Sequence, residues 1–192
     1  MDLLKLIKMR KTVRTYKEKP VSQGIIKKII ESGNWASSVH GFQPWNFIVI
    51  ESKETINKIS DIMITTAKKI GTGPNILLSS SARSLGKSPL VIAVYSNNCF
   101  YDFSKKFTKK AMKIARFAEL CAVSAGIQNM ILYAESVGLG SCWYSTPLFC
   151  EKELNKIFAV KGLKLIALLA FGYSAKKMKR AKRNTKKIKH IK

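Results

Sequence analysis

Arg10, Lys11, Thr12 and Arg14 gather two guanidinium forks, an ammonium and a hydroxyl within five positions of MRKTVRTY, residues 9–16. Cations this close repel one another unless water or an anion lies between them. Together they offer a phosphate monoester several strong donors from one side. The same residues also read as a solvated basic helix end. A second stretch, ASSVHGFQPW at 36–45, combines two hydroxyls, an imidazole, a glycine and an amide ahead of Pro44 and Trp45. Loops of this composition carry function when a rigid strand anchors them. Pro44 fixes the exit of the loop, and Trp45 is expected to pack in the core. His40 has only His190 for company, and no Ser/His/Asp or Cys/His set can be assembled. A bound cofactor, rather than side-chain hydrolysis, is therefore the expected chemistry. A third stretch, GLGSCWYS at 138–145, has glycines that admit a flat ligand or another chain, or that simply make a tight helix-to-strand turn. It is not GxGxxG and opens no helix, which excludes the dinucleotide fingerprint.

The elements that must position these stretches follow from periodicity. Asp2 opens a short helix over 2–10, with Leu3, Leu4 and Ile7 at helical spacing. VRTYKEKPV then reads as extended up to Pro20. Ser22 caps a helix whose stripe is Ile25, Ile26, Ile29 and Ile30 and which Gly33 ends. WNFIVIES at 45–52 is a strand. A helix from Ser52 or Lys53 follows, with Ile56, Ile59, Ile62 and Met63 on one face. Residues 71–88, rich in Gly and Ser, read as a long loop with at most one short helix. PLVIAVYS at 89–96 is a buried strand. The longest helix runs over about 108–137, with Ala118, Ala122, Ala125 and Gly126 allowing close packing. A short helix at 151–158 and a strand at 163–174 complete the pattern. Interleaved helices and strands without repeat or linker indicate a single α+β or α/β domain over 1–192, with a basic extension at about 174–192. A tail with so few apolar anchors is expected to stay disordered or to dock on another subunit.

Among 192 residues, 46% are apolar and 24% charged, proportions that suit a globular core. Lys plus Arg number 35 against 11 acids, a net charge of +24. Such a chain binds polyanions by counterion release whatever its function. The excess is mostly Lys, whereas Arg, the better reader of bases, is scarce. A basic nucleic-acid-binding protein is thus the alternative reading; no RNP-type platform, helix-turn-helix or zinc signature supports a specific nucleic-acid partner. Cys99, Cys121, Cys142 and Cys150 form no CxxC pair and have no His at ligand spacing, so no metal is expected. Cys121 and Cys142 sit in core-like surroundings, as reduced thiols of a cytoplasmic protein would. No apolar leader is seen at the N-terminus, and LIALLAF at 165–171 is too short to span a bilayer.

In this order and spacing the motifs resemble those of the nitroreductase family of FMN-dependent flavoproteins. R-K-T-V-R-T-Y followed by Pro20 and Val21 resembles the N-terminal motif of the family. A-S-S-V-H-G-F-Q-P-W-N-F resembles its A-P-S-A-x-N-x-Q-P-W-x-F, and S-V-G-L-G-S-C-W its G-L-G-x-x-W. LIALLAFGY and the basic KRAKRNTKKI resemble its C-terminal strand and tail. The resemblance covers nearly the whole chain. It implies a three-layer α/β/α sandwich on a mostly antiparallel sheet, in an intertwined homodimer with two FMN sites at the interface. It implies hydride transfer from NADH or NADPH through flavin N5 to nitroaromatic, quinone or related small acceptors. A different flavin reaction, such as dehydrogenation, dehalogenation or flavin breakdown, fits the same fold. Carried over by motif, Arg10, Lys11, Thr12 and Arg14 are phosphate and flavin-edge ligands, and positive charge at Arg14 would stabilise anionic reduced flavin. Ser37, Ser38, Val39 and His40 resemble the segment that reaches FMN from the other subunit. Tyr144, Ser145 and Thr146 match the strand end over the flavin face. Arg183 matches the tail residue that clasps the phosphate, with Lys182 or Arg180 in its place if the register slips. Ser37 and Gly41 stand where the family carries Pro and Asn, and Asn75 is the candidate for the mid-chain Asn at the pyrimidine edge.

Overall fold

A computed structural model describes residues 2–176 together with 178, 183, 189 and 191. The described elements run α1 (Leu3–Met9), α2 (Gln23–Asn34), β1 (Trp45–Ile50), α3 (Lys53–Lys69), α4 (Pro74–Leu85), β2 (Leu90–Ser96), α5 (Cys99–Ser104), α6 (Lys109–Ser136), β3 (Gly140–Tyr144), α7 (Glu151–Ile157) and β4 (Lys164–Gly172). Short 3-10 turns occupy Val39–Gly41 and Thr146–Cys150. Side chains start several helices as the sequence suggests. The Asp2 carboxylate accepts from the backbone N–H groups of Leu4 and Lys5, and Ser52 Oγ from that of Thr55. Ser22 holds the N-cap position of α2 without a side-chain bond.

The four strands form one antiparallel sheet in the order β1-β2-β4-β3. β2 is buried along its whole length because helices cover both faces of the sheet. Its odd residues Val91, Ala93 and Tyr95 pack with Ile56, Ile59 and Met63 of α3 and Leu78 of α4. Its even residues Leu90, Ile92 and Val94 pack with Ile29 of α2 and Ile127 and Met130 of α6. Side-chain alternation along a strand thus builds two cores from one apolar run, and each fully buried Leu or Ile contributes about 1.5–3 kcal/mol. The result is the expected α/β/α sandwich. α2 and α6 approach closely: a Cβ on Gly126 would lie 3.1 Å from the Gly33 carbonyl oxygen.

Two local expectations are corrected. The stretch 71–88 is mainly helix: α4 buries Leu78, Ala82 and Leu85, a stripe at helical spacing that outweighs the low propensity of its serines. Cys121 is exposed, because it lies on the outer face of α6 beside Phe117 and Leu120 while Ala122, Val123 and Gly126 face inward. At the start of the tail Ser174 bridges Tyr16, the Ala175 N–H donates to the Thr15 carbonyl at 3.0 Å, and Met178 packs on the core; most of the expected basic extension lies outside the described residues. By length and composition α6 could cross a membrane. In the fold it lies between α2, α5 and the sheet, and Glu119 is buried along it.

Candidate functional site

Gly140 opens β3 and has no side chain, and Val13 takes the space: a Cβ there would overlap the Val13 side chain. The close approach expected of the GLG motif is therefore made by a distant segment of this same chain. The Val13 N–H donates to the Ser141 carbonyl at 2.8 Å, and Thr12 bridges Ser141 in parallel. Farther on, the Tyr16 hydroxyl donates to the Val13 carbonyl at 2.6 Å, and the Lys17 N–H to the Tyr173 carbonyl at 2.8 Å. Residues 10–17 are thereby strapped along the edge of β3 and against the start of the tail. Arg10 ends α1, its N–H bonded to the Leu6 carbonyl. Arg10, Lys11 and Thr12 are half-buried and Arg14 is exposed. Lys11, Val13, Gly140, Ser174 and Lys176 line a cavity of about 150 Å³. Arg183 is exposed; Lys182 and Arg180 lie outside the described residues.

β3 ends in Tyr144, which leads into Ser145 and Thr146. The Tyr144 hydroxyl is 2.7 Å from Ser84 Oγ, tying the strand end to α4. Burial pushes the Tyr144 phenol well up, with the Cys142 thiol adding to the rise, while the Ser84 bond and the Arg14 charge oppose it. Burial likewise raises Cys142, against its bond to Tyr144 and the field of Arg14. The Arg14 guanidinium thus acts on the strand that carries the GLGSCWYS motif. Two buried side-chain oxygens among the described residues have no hydrogen-bond partner: Asn75 Oδ1 at the start of α4 and Thr146 Oγ1 in the turn after β3. An unpaired buried oxygen costs about 1–3 kcal/mol, so each marks a place where a ligand hydrogen bond would be favourable.

Residues 37–40 lie elsewhere. They lead into β1, at the opposite edge of the sheet from β3. Ser38 Oγ accepts from the Gln43 N–H at 3.2 Å, Ser37 is exposed and Val39 half-buried. His40 and Gln43 hold φ of 46° and 47°, strained for residues with a Cβ. The His40 ring is 5.7 Å from that of Phe100, beside Ala111 at the start of α6. Gly138 and Lys11, by contrast, lie beside Glu135 at the far end of that helix. At 1.5 Å per residue, roughly 35 Å of helix separates the two groups. One chain brings residues 10–14 to 144–146 and leaves 37–40 apart. Sequence reasoning missed Ser84 and the aromatic group Phe100, Phe103 and Phe107. The spacing of those three phenylalanines, three then four, was the available signal.

The sequence profile of the nitroreductase family matches residues 7–173. The Bacillus subtilis (strain 168) protein YfhC, named as a candidate NAD(P)H nitroreductase, is 24% identical over 172 residues, 88% of this chain and 82% of its own. An iodotyrosine deiodinase of Thermotoga neapolitana is 27% identical over 176 residues, 89% of this chain and 88% of its own. The crystal structure of a nitroreductase with bound FMN from Desulfitobacterium hafniense DCB-2 superposes with a TM-score of 0.81 at 17% identity, covering 100% of both chains.

Proposed function

The chain belongs to the nitroreductase family, and on that premise we propose that it is an FMN-dependent oxidoreductase. NADH or NADPH would be the donor, and a nitroaromatic, quinone or related small molecule the acceptor. FMN, when bound, would supply the redox chemistry, as an acceptor of hydride from the donor and a source of electrons for the second substrate. One observation carries the reading: the Thr12–Ser141 bridge sets the basic motif and the strand-end motif side by side, although they lie far apart in sequence.

The residues present fit the cofactor. Arg10, Lys11 and Thr12 offer charge-assisted and hydroxyl donors to its phosphate, and the start of the tail runs beside them. Arg14 holds positive charge at the strand end, where it would favour an anionic reduced ring. The unpaired oxygens of Asn75 and Thr146 supply an acceptor and a hydroxyl for polar edges of the ring system. Ser84 fixes Tyr144, and with it the turn that carries Ser145 and Thr146. Gly41 has no side chain where the family carries Asn, leaving that side of the site open.

In this reading the active form is an intertwined homodimer, in which residues 37–40 of a second copy complete the site. Exposed apolar side chains support it: Ile114, Phe117 and Leu120 on the outer face of α6, and Leu3, Leu4 and Ile7 on α1, which packs beside it. The relative named as an iodotyrosine deiodinase favours a second reaction on the same scaffold, reductive dehalogenation. Turnover with a panel of nitroaromatics, quinones and halophenols separates the two.

The direct test is to heat the purified protein and read flavin absorbance in the supernatant. FMN is expected; a colourless protein that takes up no added FMN overturns the reading. Arg10→Ala should weaken FMN retention about tenfold or more, the worth of one charge-assisted contact, while Lys189→Ala stays within about twofold. Equal effects would mean that the phosphate sits elsewhere.

A further inference from the structure

We propose that the cavity where residues 16–21, the end of β1 and the approach to β2 meet binds a chain of linked phosphates, free or carried by a nucleoside. It encloses about 760 Å³ and is walled by three separate stretches: Tyr16 to Val21, Glu51 with Lys53, and Lys87 to Pro89. That volume lies in the range of small-molecule sites and exceeds what a single phosphate needs. The cavity shares no lining residue with the 150 Å³ cavity beside Lys11, and residues 144–146 do not line it. It is therefore a second site, independent of the flavin reading. Buried Tyr16, Val21 and Ser88 contribute to its wall. The two hydroxyls among them are already spent on backbone carbonyls: Tyr16 donates to Val13 at 2.6 Å and Ser88 to Leu85 at 2.6 Å. The side chains left to recognise a ligand are the charged ones.

Each stretch brings ammonium groups: Lys17 and Lys19 from the first, Lys53 from the second, Lys87 from the third, against Glu18 and Glu51. Glu51 is already engaged, because Gln23 Nε2 donates to both of its carboxylate oxygens, at 2.9 and 2.8 Å. Two of the lysines are held in place. Lys53 Nζ donates to the Gly86 carbonyl at 2.5 Å, and Lys19 Nζ stands 4.5 Å from the centroid of the Tyr173 ring. An ammonium has three donors, so both keep N–H groups for a ligand. Lys53 also opens the 17-residue helix α3, whose dipole adds positive potential at the rim. Cations drawn from three stretches onto one cavity repel one another until an anion lies between them. One phosphate cannot reach all three walls; linked phosphates spread their charge along a chain and can, through charge-assisted bonds to each. Pro20, Val21 and Pro89 add apolar surface on which a nucleoside could rest.

The probes are inorganic phosphate, tripolyphosphate and ATP, titrated calorimetrically into the full-length protein at low salt, with melting temperature as a second readout. Tripolyphosphate and ATP should bind about tenfold or more tighter than phosphate and raise the melting temperature of the wild type. Tighter ATP would identify a nucleotide as the ligand, and tighter tripolyphosphate the free chain; either keeps the site. Lys53→Gln with Lys87→Gln should weaken both about tenfold or more. Lys109→Gln with Lys110→Gln, the same loss of charge on α6 outside the cavity, should change binding less than twofold, and Arg10→Ala should preserve it. No preference over phosphate overturns the proposal. So does an equal loss in the α6 variant, which would show only the background attraction of a polycation for anions. Loss in Arg10→Ala with the Lys53 and Lys87 variant unaffected would move the anion to residues 10–14 and overturn it as well. FMN content is read separately, so failure of the flavin reading and failure of this site remain distinct.

Discussion

Thr146 carries a hydroxyl that is buried and has no hydrogen-bond partner among the described residues. In the flavin-free protein that oxygen is a cost; in the FMN-bound form we propose, it would gain a partner. Thr146→Val keeps the shape and removes the oxygen. It should leave the flavin-free protein as stable or up to about 1 kcal/mol more stable, and weaken FMN binding about fivefold. Thermal melts of the flavin-free protein and an FMN titration check both halves, and loss of stability without loss of FMN affinity would make the hydroxyl purely structural. Thr146 and Asn75 were legible in the sequence only as matches to family motifs. That their oxygens lack partners depends on every neighbour being placed, which no local pattern encodes. Cys121 shows the converse. An apolar neighbourhood in sequence suggested burial, yet the helix turns it outward.

At the scale of elements, the site depends on the segment around residues 12–13 lying on β3. Gly140 permits it, and Val13 fills the vacated space. Gly140→Ala should therefore destabilise the fold by about 1–3 kcal/mol through overpacking and lower FMN retention, and Val13→Ala in the same chain should recover part of both. Chemical denaturation of the two single variants and the double variant measures the coupling. Strictly additive effects would show that the two residues do not share this contact. The sequence marked the GLG motif as a place of close approach but not what approaches. α4 was hidden for a different reason. Gly and Ser punctuation suggested a loop, while the Leu78, Ala82 and Leu85 stripe pointed to a helix once a core existed to receive it. Tertiary packing outweighs weak propensity here, and α4 then brings Ser84 to Tyr144.

Across the whole molecule, burial also sets an alkaline limit. Tyr16 and Tyr144 are raised well above the ordinary phenol value, Cys150 is pushed up to about 12, and Cys142 is raised too, each chiefly by burial. The folded protein keeps protons that the unfolded chain would release. Their contribution is full below the unfolded thiol and phenol values, about pH 8.5 and 10, and is lost as pH rises beyond them. The melting temperature should hold to about pH 8 and fall progressively above about pH 9. Tyrosinate absorbance from these residues should appear only with unfolding, and Tyr16→Phe should flatten the decline above pH 10. A melting temperature unchanged up to pH 11 would contradict the assignment. The sequence by itself determined the strands and most helices, because apolar period and capping residues are local. It also determined the order of the motifs, and with it the family and the α/β/α sandwich. Which residues meet was decided by tertiary structure. The parallel bridge of Thr12 to Ser141 and the packing of Phe42 on Phe100 and Phe103 join residues whose contact comes only from the path of the whole chain. The same path leaves residues 37–40 at the far end of α6, because a rigid helix keeps its two ends apart.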